Sequence, residues 1–194
     1  LVAASMGYRF VASSNLANRK LEWRVWGRER TAAQPHLARF ILIGLRTGTR
    51  HDAILRLSFS AHPNGGHFDL ANGILYRAAA GEIQTKKRKP AVPIPRKLAR
   101  HLPRWSRQSS HSIVVTKNGS ILESVRKSFT TAVERAGLDD QVTPHVLRHT
   151  CVTWLVQEGH KIWDVANFVG MSPEMVERVY GHHSPDHLRG IAAA

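Results

Sequence analysis

The sequence has little cysteine, few acidic residues and no long apolar run. Cys151 is its only cysteine, which excludes an internal disulfide and a cysteine-rich zinc site and favours a reducing compartment. No apolar run reaches the roughly 18 residues of a membrane-spanning helix, and Leu1 to Met6 is too short for the core of a signal peptide. We therefore expect a water-soluble, cytoplasmic protein with no membrane partner.

Basic residues outnumber acidic residues two to one, with 28 Lys and Arg against 14 Asp and Glu and a formal net charge of +14. Such an excess favours a polyanionic partner. A basic solubilising surface and an RNA-binding role have the same composition, so charge alone does not identify DNA. The motifs must decide what the partner is.

Apolar periodicity and turn signals predict one mainly helical domain. An irregular segment is expected over 1–34, before a core helix that starts at Pro35 and stops at Gly48. Short antiparallel strands between 67 and 94 would turn at Asn72-Gly73 and again at the basic run 86–89. The other predicted elements are helices over 52–57, 96–107, 120–137, 144–159, 161–169 and 173–180, and a strand over 112–115.

The helix predicted after Thr143 carries a histidine and an arginine on one face. Thr143 is a suitable cap for this helix and Pro144 a suitable first residue. His145 and Arg148 are three residues apart, so both can reach one phosphate, which the helix dipole also favours. The same pair occurs on many solvated helix faces. The predicted buried stripe of this helix is Leu147, Cys151, Trp154 and Leu155.

Four features, in this order, resemble the tyrosine recombinases of the phage integrase type. They are Thr-Gly-Thr-Arg at 47–50, the basic turn, His-x-x-Arg at 145–148, and Tyr180, which follows Arg148 by 32 residues. The resemblance runs from about Pro35 to Ala194. It implies an α+β, mainly α-helical fold, a tyrosine recombinase catalytic domain in which a helical bundle carries a small antiparallel sheet at one edge.

The resemblance also implies an activity, that of a site-specific recombinase or integrase of a bacterial or phage mobile element. Such an enzyme cleaves and rejoins duplex DNA through a 3′-phosphotyrosine intermediate, with no cofactor, metal or ATP. Two alternatives remain open. One is a catalytically impaired, DNA-binding remnant of an integrase, and the other is a strand transferase like the type IB topoisomerases.

Five residues take catalytic roles by this resemblance: Arg50, Lys86, His145, Arg148 and Tyr180. The two arginines would stabilise charge on the phosphate, and Tyr180 would be the nucleophile, assisted by His145 as base or proton relay. Each role has a plainer reading. Arg50 alone would be a structural partner of Asp52 or of helix carbonyls, and Tyr180 alone a half-buried aromatic.

The basic turn is expected to supply a general acid and contacts to the DNA backbone. The resemblance gives the protonation of the departing 5′ oxygen to Lys86, with Lys87 or Lys89 as replacements if the turn is shifted. The residues expected to touch the DNA backbone are Lys87, Arg88 and Lys89. An exposed turn that acts only through its charge is the alternative.

Met171 departs from the family pattern. The family has histidine, or sometimes tryptophan, at this place nine residues before the nucleophile. Because methionine cannot donate a hydrogen bond to phosphate, we expect a reduced rate unless packing on the nucleophile suffices.

Other conspicuous side chains receive structural interpretations. His182, His183 and His187 suggest a metal, but Pro185 interrupts the helix that would align them, so no metal site is expected. Cys151 is interpreted as an inert core thiol. All five tryptophans are expected to pack in the interior: Trp23, Trp26, Trp105, Trp154 and Trp163.

The domain organisation follows from the resemblance. Family members place a helical core-binding domain before the catalytic one, and no segment before Pro35 is long enough for it. The expectation is thus a short leading segment over 1–34, the catalytic domain over 35–194, and a core-binding domain absent from this chain. Binding to duplex DNA should then be weak and salt-sensitive. We expect a homotetramer on paired sites for the full-length protein and a monomer for these residues alone.

Overall fold

The computed structural model describes residues 34–83 and 88–185 in full, and the backbone of 8–11 and 22–25. Its strands are β1 (Tyr8–Val11), β2 (Glu22–Val25), β3 (His67–Asp69), β4 (Ile74–Tyr76), β5 (Val92–Pro93), β6 (Thr116–Lys117) and β7 (Ser120–Ile121). Its helices are α1 (Pro35–Thr47), α2 (His51–Leu55), α3 (Arg96–Ala99), α4 (Leu102–Gln108), α5 (Arg126–Arg135), α6 (Val146–Gln157), α7 (Ile162–Val169) and α8 (Pro173–Tyr180), followed by a 3₁₀ turn at Gly181–His183. The predicted fold class, mainly helical with a small antiparallel sheet, is confirmed.

The central sheet has the antiparallel order β3-β4-β5. Its first hairpin turns at the predicted Asn72-Gly73, where Gly73 has a positive φ of 68°. Proline in β5 confines that strand to the sheet edge, also as predicted. The leading segment differs from the expectation, because β1 pairs with β2 in an antiparallel ladder and 1–34 is therefore not wholly irregular.

Helix α1 runs through the main core. Proline at its start and Gly48 in the left-handed conformation at its end set its limits, as predicted. Gly44 lets α6 approach closely, since a Cβ at that position would lie 3.0 Å from Leu147 Cδ1. The α1–α6 contact fixes the start of α6, which carries the His-x-x-Arg motif, beside the end of α1.

A smaller apolar cluster joins α6, α7 and α8. Its buried members are Val152, Val156, Val165, Ala166, Val169, Val176 and Tyr180. Helix α8 begins as predicted, with Pro173 in its first turn and the Ser172 hydroxyl accepting a hydrogen bond from the Met175 amide. The cluster therefore holds the end of α8, and Tyr180 with it, against α6.

Three predicted elements are wrong in their limits. The helix expected from Ser120 begins at Arg126, because Asn118 and Gly119 adopt positive φ and turn the chain from β6 into β7. The helix expected over 96–107 divides into α3 and α4. The run 112–115 is extended and bonds to residues 57–59, but it pairs through an isolated bridge rather than a strand ladder.

Helix α6 also differs from its prediction. It begins at Val146, and Thr143 provides a backbone carbonyl to the Val146 amide rather than a side-chain cap. Trp154 is 40% exposed and lies against Arg46, so it is not in the buried stripe, and Trp163 is 66% exposed. Among the tryptophans with described side chains, only Trp105 packs in the core as expected. The side chains of Trp23 and Trp26 lie outside the described residues.

No helix in the described ranges has the length and apolar character to cross a bilayer.

Candidate active site

One open cleft of about 520 Å³ is lined by four of the five predicted catalytic residues, Arg50, His145, Arg148 and Tyr180. They come from the start of α2, the start of α6 and the end of α8. Lys86, the fifth, lies outside the described residues, as does Lys87. The fold thus brings together groups that are up to 130 positions apart in the sequence.

Arg148 forms the floor of this cleft. Its side chain is only 6% exposed. The guanidinium donates from Nη1 to the carbonyls of Gly48 (2.6 Å) and Val169 (2.8 Å), and from Nη2 to that of Gly170 (3.3 Å). Because these bonds tie α6 to the ends of α1 and α7, Arg148 has a fixed position.

Arg50 lies beside it at the N-cap of α2, where the chain reverses after Gly48. Its Nη1 donates to the carbonyl of Arg88 (2.9 Å) and its Nη2 to that of Gly170 (3.4 Å). Asp52 forms its ion pair with His51. The structural pairing of Arg50 with Asp52, considered from the sequence, is therefore not what the structure has.

Arg77 is a third arginine of this region, which the sequence reasoning missed. It is 4% exposed and donates to Thr49 Oγ1 (2.8 Å) and to the carbonyls of Phe168 (2.6 Å) and Thr47 (2.5 Å). The sequence did contain a signal for its burial, because strand periodicity puts Arg77 on the same face as the buried Leu75. Arg77 thus ties the segment before Arg50 to the end of α7.

The three guanidinium groups have no acidic partner among the described residues, whose ion pairs involve other side chains. Burial, and then the charge of neighbouring Arg148, lowers the pKa of Arg77 to about 9. Burial, and then Arg50, lowers the pKa of Arg148 to about 10. Burial also lowers the pKa of Arg50. Concentrated, uncompensated positive charge of this kind favours an anion in the cleft.

Gly170 gives the cleft its backbone acceptor. It ends α7 in the left-handed conformation with a φ of 73°, and its carbonyl accepts from both Arg50 and Arg148. A Cβ there would lie 2.7 Å from the carbonyl oxygen of Arg88. Only glycine therefore combines the left-handed turn with this close approach.

Tyr180 is the last residue of α8 and is 4% exposed. The predicted helix over 173–180 also ended at this residue. Its ring belongs to the small apolar cluster while its phenol oxygen reaches the cleft. Burial raises the pKa of Tyr180, and Arg148 opposes that effect.

The phenol oxygen of Tyr180 lies 2.5 Å from Nδ1 of His149. His149 also lines the cleft and was not among the predicted residues. The sequence did contain a signal, since His149 follows His145 by one helical turn and so shares its face.

His145 occupies the N-cap of α6 and meets the ring of His149 edge-on, with ring centroids 4.6 Å apart. Burial lowers the pKa of His145, and its electrostatic interactions with His149 and Arg148 lower it further. His145 lines the cleft together with the arginines and the phenol.

The described part of the basic turn lies beside the arginines. Arg88 is exposed and lines the cleft. Lys89 forms an ion pair with Glu82, so its ammonium group is engaged within the protein.

Met171 lines the cleft and packs against the cluster that holds Tyr180. Its amide bonds to the Ala166 carbonyl (3.0 Å) as part of the turn after α7. Its side chain therefore packs against the cluster in which the Tyr180 ring lies.

Within the ranges that the structure describes, no group of three His, Cys, Asp or Glu side chains is arranged to hold a metal ion. The rings of His182 and His183 lie against each other at a tilt of 44°, with centroids 3.9 Å apart. His187 lies outside the described residues. Cys151 is buried as predicted.

A rigid pair of guanidinium groups, a phenol and two imidazoles thus surround one cleft, whose positive charge suits an anionic group. Residues 28–187 match the model of the phage integrase family. The chain therefore belongs to the phage integrase family.

Individual proteins agree with this assignment. The tyrosine recombinase XerC of Proteus mirabilis is 31% identical over 150 residues, which are 73% of this chain and 47% of that protein. The catalytic domain of bacteriophage HP1 integrase is 26% identical, with a TM-score of 0.53 and 82% of both chains covered. The Tn1549 transposon integrase, solved with circular intermediate DNA, has the same fold at 18% identity, with a TM-score of 0.64 over 81% of this chain and 57% of that one.

The chain spans less than half the length of the curated relatives that it matches first.

Proposed function

We propose that this chain is the catalytic part of a site-specific DNA recombinase that cleaves and rejoins duplex DNA through a 3′-phosphotyrosine intermediate. One observation carries the proposal. Arg50 and Arg148 meet the phenol of Tyr180 in a single cleft whose described lining contains no acidic side chain, and neither guanidinium forms an ion pair with a described acid. A backbone phosphate is the anion that such a cleft fits.

Cleavage exchanges one phosphate ester for another. The phenol oxygen of Tyr180 forms a bond to phosphorus, the bond from phosphorus to the 5′ oxygen breaks, and the DNA 3′ end becomes a phosphotyrosine. Arg50 and Arg148 donate to the non-bridging oxygens, on which charge develops in the transition state. The ester bond is conserved, so a 5′ hydroxyl can reverse the reaction without ATP.

Two proton transfers accompany this exchange. The phenol proton leaves towards the histidines of the cleft, where His145 is a base or proton relay. Lys86 supplies the proton that the departing 5′ oxygen needs. Lys87, Arg88 and Lys89 of the basic turn contact the DNA backbone, and the ion pair with Glu82 means that Lys89 must exchange partners to do so.

Duplex DNA is the substrate that the net charge of +14 supports. The matched proteins are recombinases and integrases, which favours strand exchange over the topoisomerase alternative. Packing of Met171 on the cluster of Tyr180 favours a working enzyme of reduced rate over a non-catalytic remnant.

Assembly follows from the need to break and join four strands. We propose a homotetramer of the complete protein on paired DNA sites in the cytoplasm, and a monomer for these residues alone. Light scattering of the free chain and of its complex with DNA would measure both states.

Covalent capture tests the proposal without knowledge of the target site. Nicked duplexes of randomised sequence act as suicide substrates, because the short 5′-hydroxyl strand diffuses away after cleavage and leaves the adduct trapped. We expect DNA that stays attached to the protein after denaturation, and sequencing of this DNA defines the target.

The matched control is Tyr180→Phe, which removes a single oxygen and should bind DNA without forming the adduct. Adduct formation by Tyr180→Phe, or binding of the nicked duplexes by the wild-type chain with no adduct, would contradict the proposal.

A further inference from the structure

The feature that the proposed mechanism leaves open is the immediate acceptor of the phenol proton. Two histidines line the cleft, but only His149 contacts the nucleophile, with Nδ1 2.5 Å from the phenol oxygen. His145 contacts the ring of His149 edge-on, at a centroid distance of 4.6 Å. The order of contact is thus Tyr180, His149, His145.

This arrangement is held by the packing of the two helices. Tyr180 ends α8 within the small apolar cluster, and Val152 and Val156 of α6 belong to the same cluster. His149 lies on α6 between the cluster and the N-cap residue His145. Because both helices are fixed by buried side chains, the phenol and the imidazole are held in contact.

The distance and the exposure of His149 suit proton transfer. A neutral imidazole with its proton on Nε2 presents the lone pair of Nδ1 to the phenol, so the phenol O–H donates. The outward edge of His149 is exposed to solvent, to which a proton can pass. The charged groups that face this pair are Arg50, Arg88, Arg148 and His145.

We propose that His149 is a catalytic residue, the base that takes the phenol proton of Tyr180 during cleavage and returns it during rejoining. As the bond from the phenol oxygen to phosphorus forms, the proton moves to Nδ1, and the bond from phosphorus to the 5′ oxygen breaks with its own proton supplied by the general acid. The phosphate in the cleft offsets the charge that His149 gains. This inference rests on the function proposed above.

The test compares variants by their rate of adduct formation on the duplex selected by covalent capture. His149→Asn keeps an acceptor near the position of Nδ1 but cannot take the proton. If His149 is the base, the rate falls by roughly 10²-fold or more. His160→Asn, an exposed histidine after α6 that pairs with Glu158, is the matched control and should be unchanged.

A more acidic phenol at position 180 distinguishes a histidine that acts as a base from one with only a structural role. With 3,5-difluorotyrosine at position 180, deprotonation needs less help, so the loss caused by His149→Asn should shrink at least tenfold. A defect in the general acid would not be relieved in this way. His149→Gln, measured together with thermal unfolding, is a second variant in case Asn disturbs α6.

Two results would overturn the inference. One is a His149→Asn rate within threefold of an active wild type, and the other is a loss of rate that difluorotyrosine leaves unchanged. Failure of the proposed function looks different, since then the wild-type chain itself forms no Tyr180-dependent adduct, and the inference falls with it.

Discussion

At the scale of single residues, the arginines define the site. Arg50, Arg77 and Arg148 converge without an ion pair to any described carboxylate, and each donates to backbone carbonyls instead. Carbonyls orient a guanidinium without neutralising it. The positive charge therefore stays available for an anion. Holding it in a buried position is unfavourable, and this lowers the pKa to about 9 for Arg77 and about 10 for Arg148.

Replacing Lys86 with alanine should slow cleavage by about 10²-fold or more, because the 5′ oxygen then leaves without a proton donor. A substrate with sulfur in place of that bridging oxygen needs no such donor and should restore the rate. Adduct formation on both substrates measures the effect. Lys87→Ala is the control, and if sulfur rescued Lys87→Ala instead, the assignment of Lys86 would be wrong.

Substitution of Met171 by histidine should raise the rate of cleavage, since it adds a donor at the edge of the cleft. A hydrogen bond worth about 1 kcal/mol corresponds to roughly a fivefold gain. Met171→Leu keeps the packing and should behave like the wild type in the same adduct assay. A Met171→His variant no faster than its parent would refute a hydrogen-bonding deficit at this position.

Cys151 should be unreactive in the folded protein. Burial raises the pKa of its thiol to about 11, from 9.0 for an exposed thiol, which lowers the thiolate fraction near pH 8 about a hundredfold. Labelling by a thiol reagent should thus be slow in buffer, fast in denaturant, and faster in buffer as the pH rises towards 11. Fast labelling of the native chain at pH 8 would contradict the burial.

At the scale of elements, the end of α7 is the junction on which the site depends. Gly170→Ala should destabilise the protein, because the new Cβ would meet the Arg88 carbonyl. The loss should be about 1–3 kcal/mol larger than for an alanine placed at another glycine of positive φ that has free space around it. Gly159→Ala is the matched control, with a φ of 82° and nothing within 4 Å of the added Cβ. Denaturant unfolding compares them, and equal losses would show that the close approach is unimportant.

The sequence predicted the elements whose ends are set by local signals. Proline and glycine set the ends of α1 and α8, and Asn72-Gly73 set the first hairpin. It also contained a local signal that was missed, the Asn118-Gly119 turn between β6 and β7, which is of the same kind as Asn72-Gly73. The sequence failed where tertiary contacts decide, since Trp154 of the predicted buried stripe is exposed, with Arg46 over its ring.

The residues of the candidate site also fall into a group that local motifs predicted and a group that they missed. The motifs identified Arg50, His145, Arg148 and Tyr180, which the structure brings into one cleft. Arg77 and His149 were missed because each acts through a partner on a distant element, Phe168 on α7 and Tyr180 on α8. Spacing along one helix or strand shows which residues share a face, but not what that face meets.

At the scale of the whole molecule, charge should govern binding. With a net charge of +14, affinity for a duplex of arbitrary sequence should fall steeply as the salt concentration rises. In a plot of log binding constant against log salt concentration, each phosphate contact should add about 0.9 to the steepness of the slope. Arg88→Gln, at the rim of the cleft, should lower that slope by about one. Fluorescence anisotropy over a salt series measures it. Arg104→Gln on α4 is the control, and an equal slope for wild type and Arg88→Gln would contradict the contact.

The small cluster that seats Tyr180 is built from α6, α7 and α8 of one chain, and Arg148 lies on the first of these helices. In an assembly of several copies, each subunit would then cut the strand that its own guanidinium groups bind, and its tyrosine would not enter the active site of a neighbour.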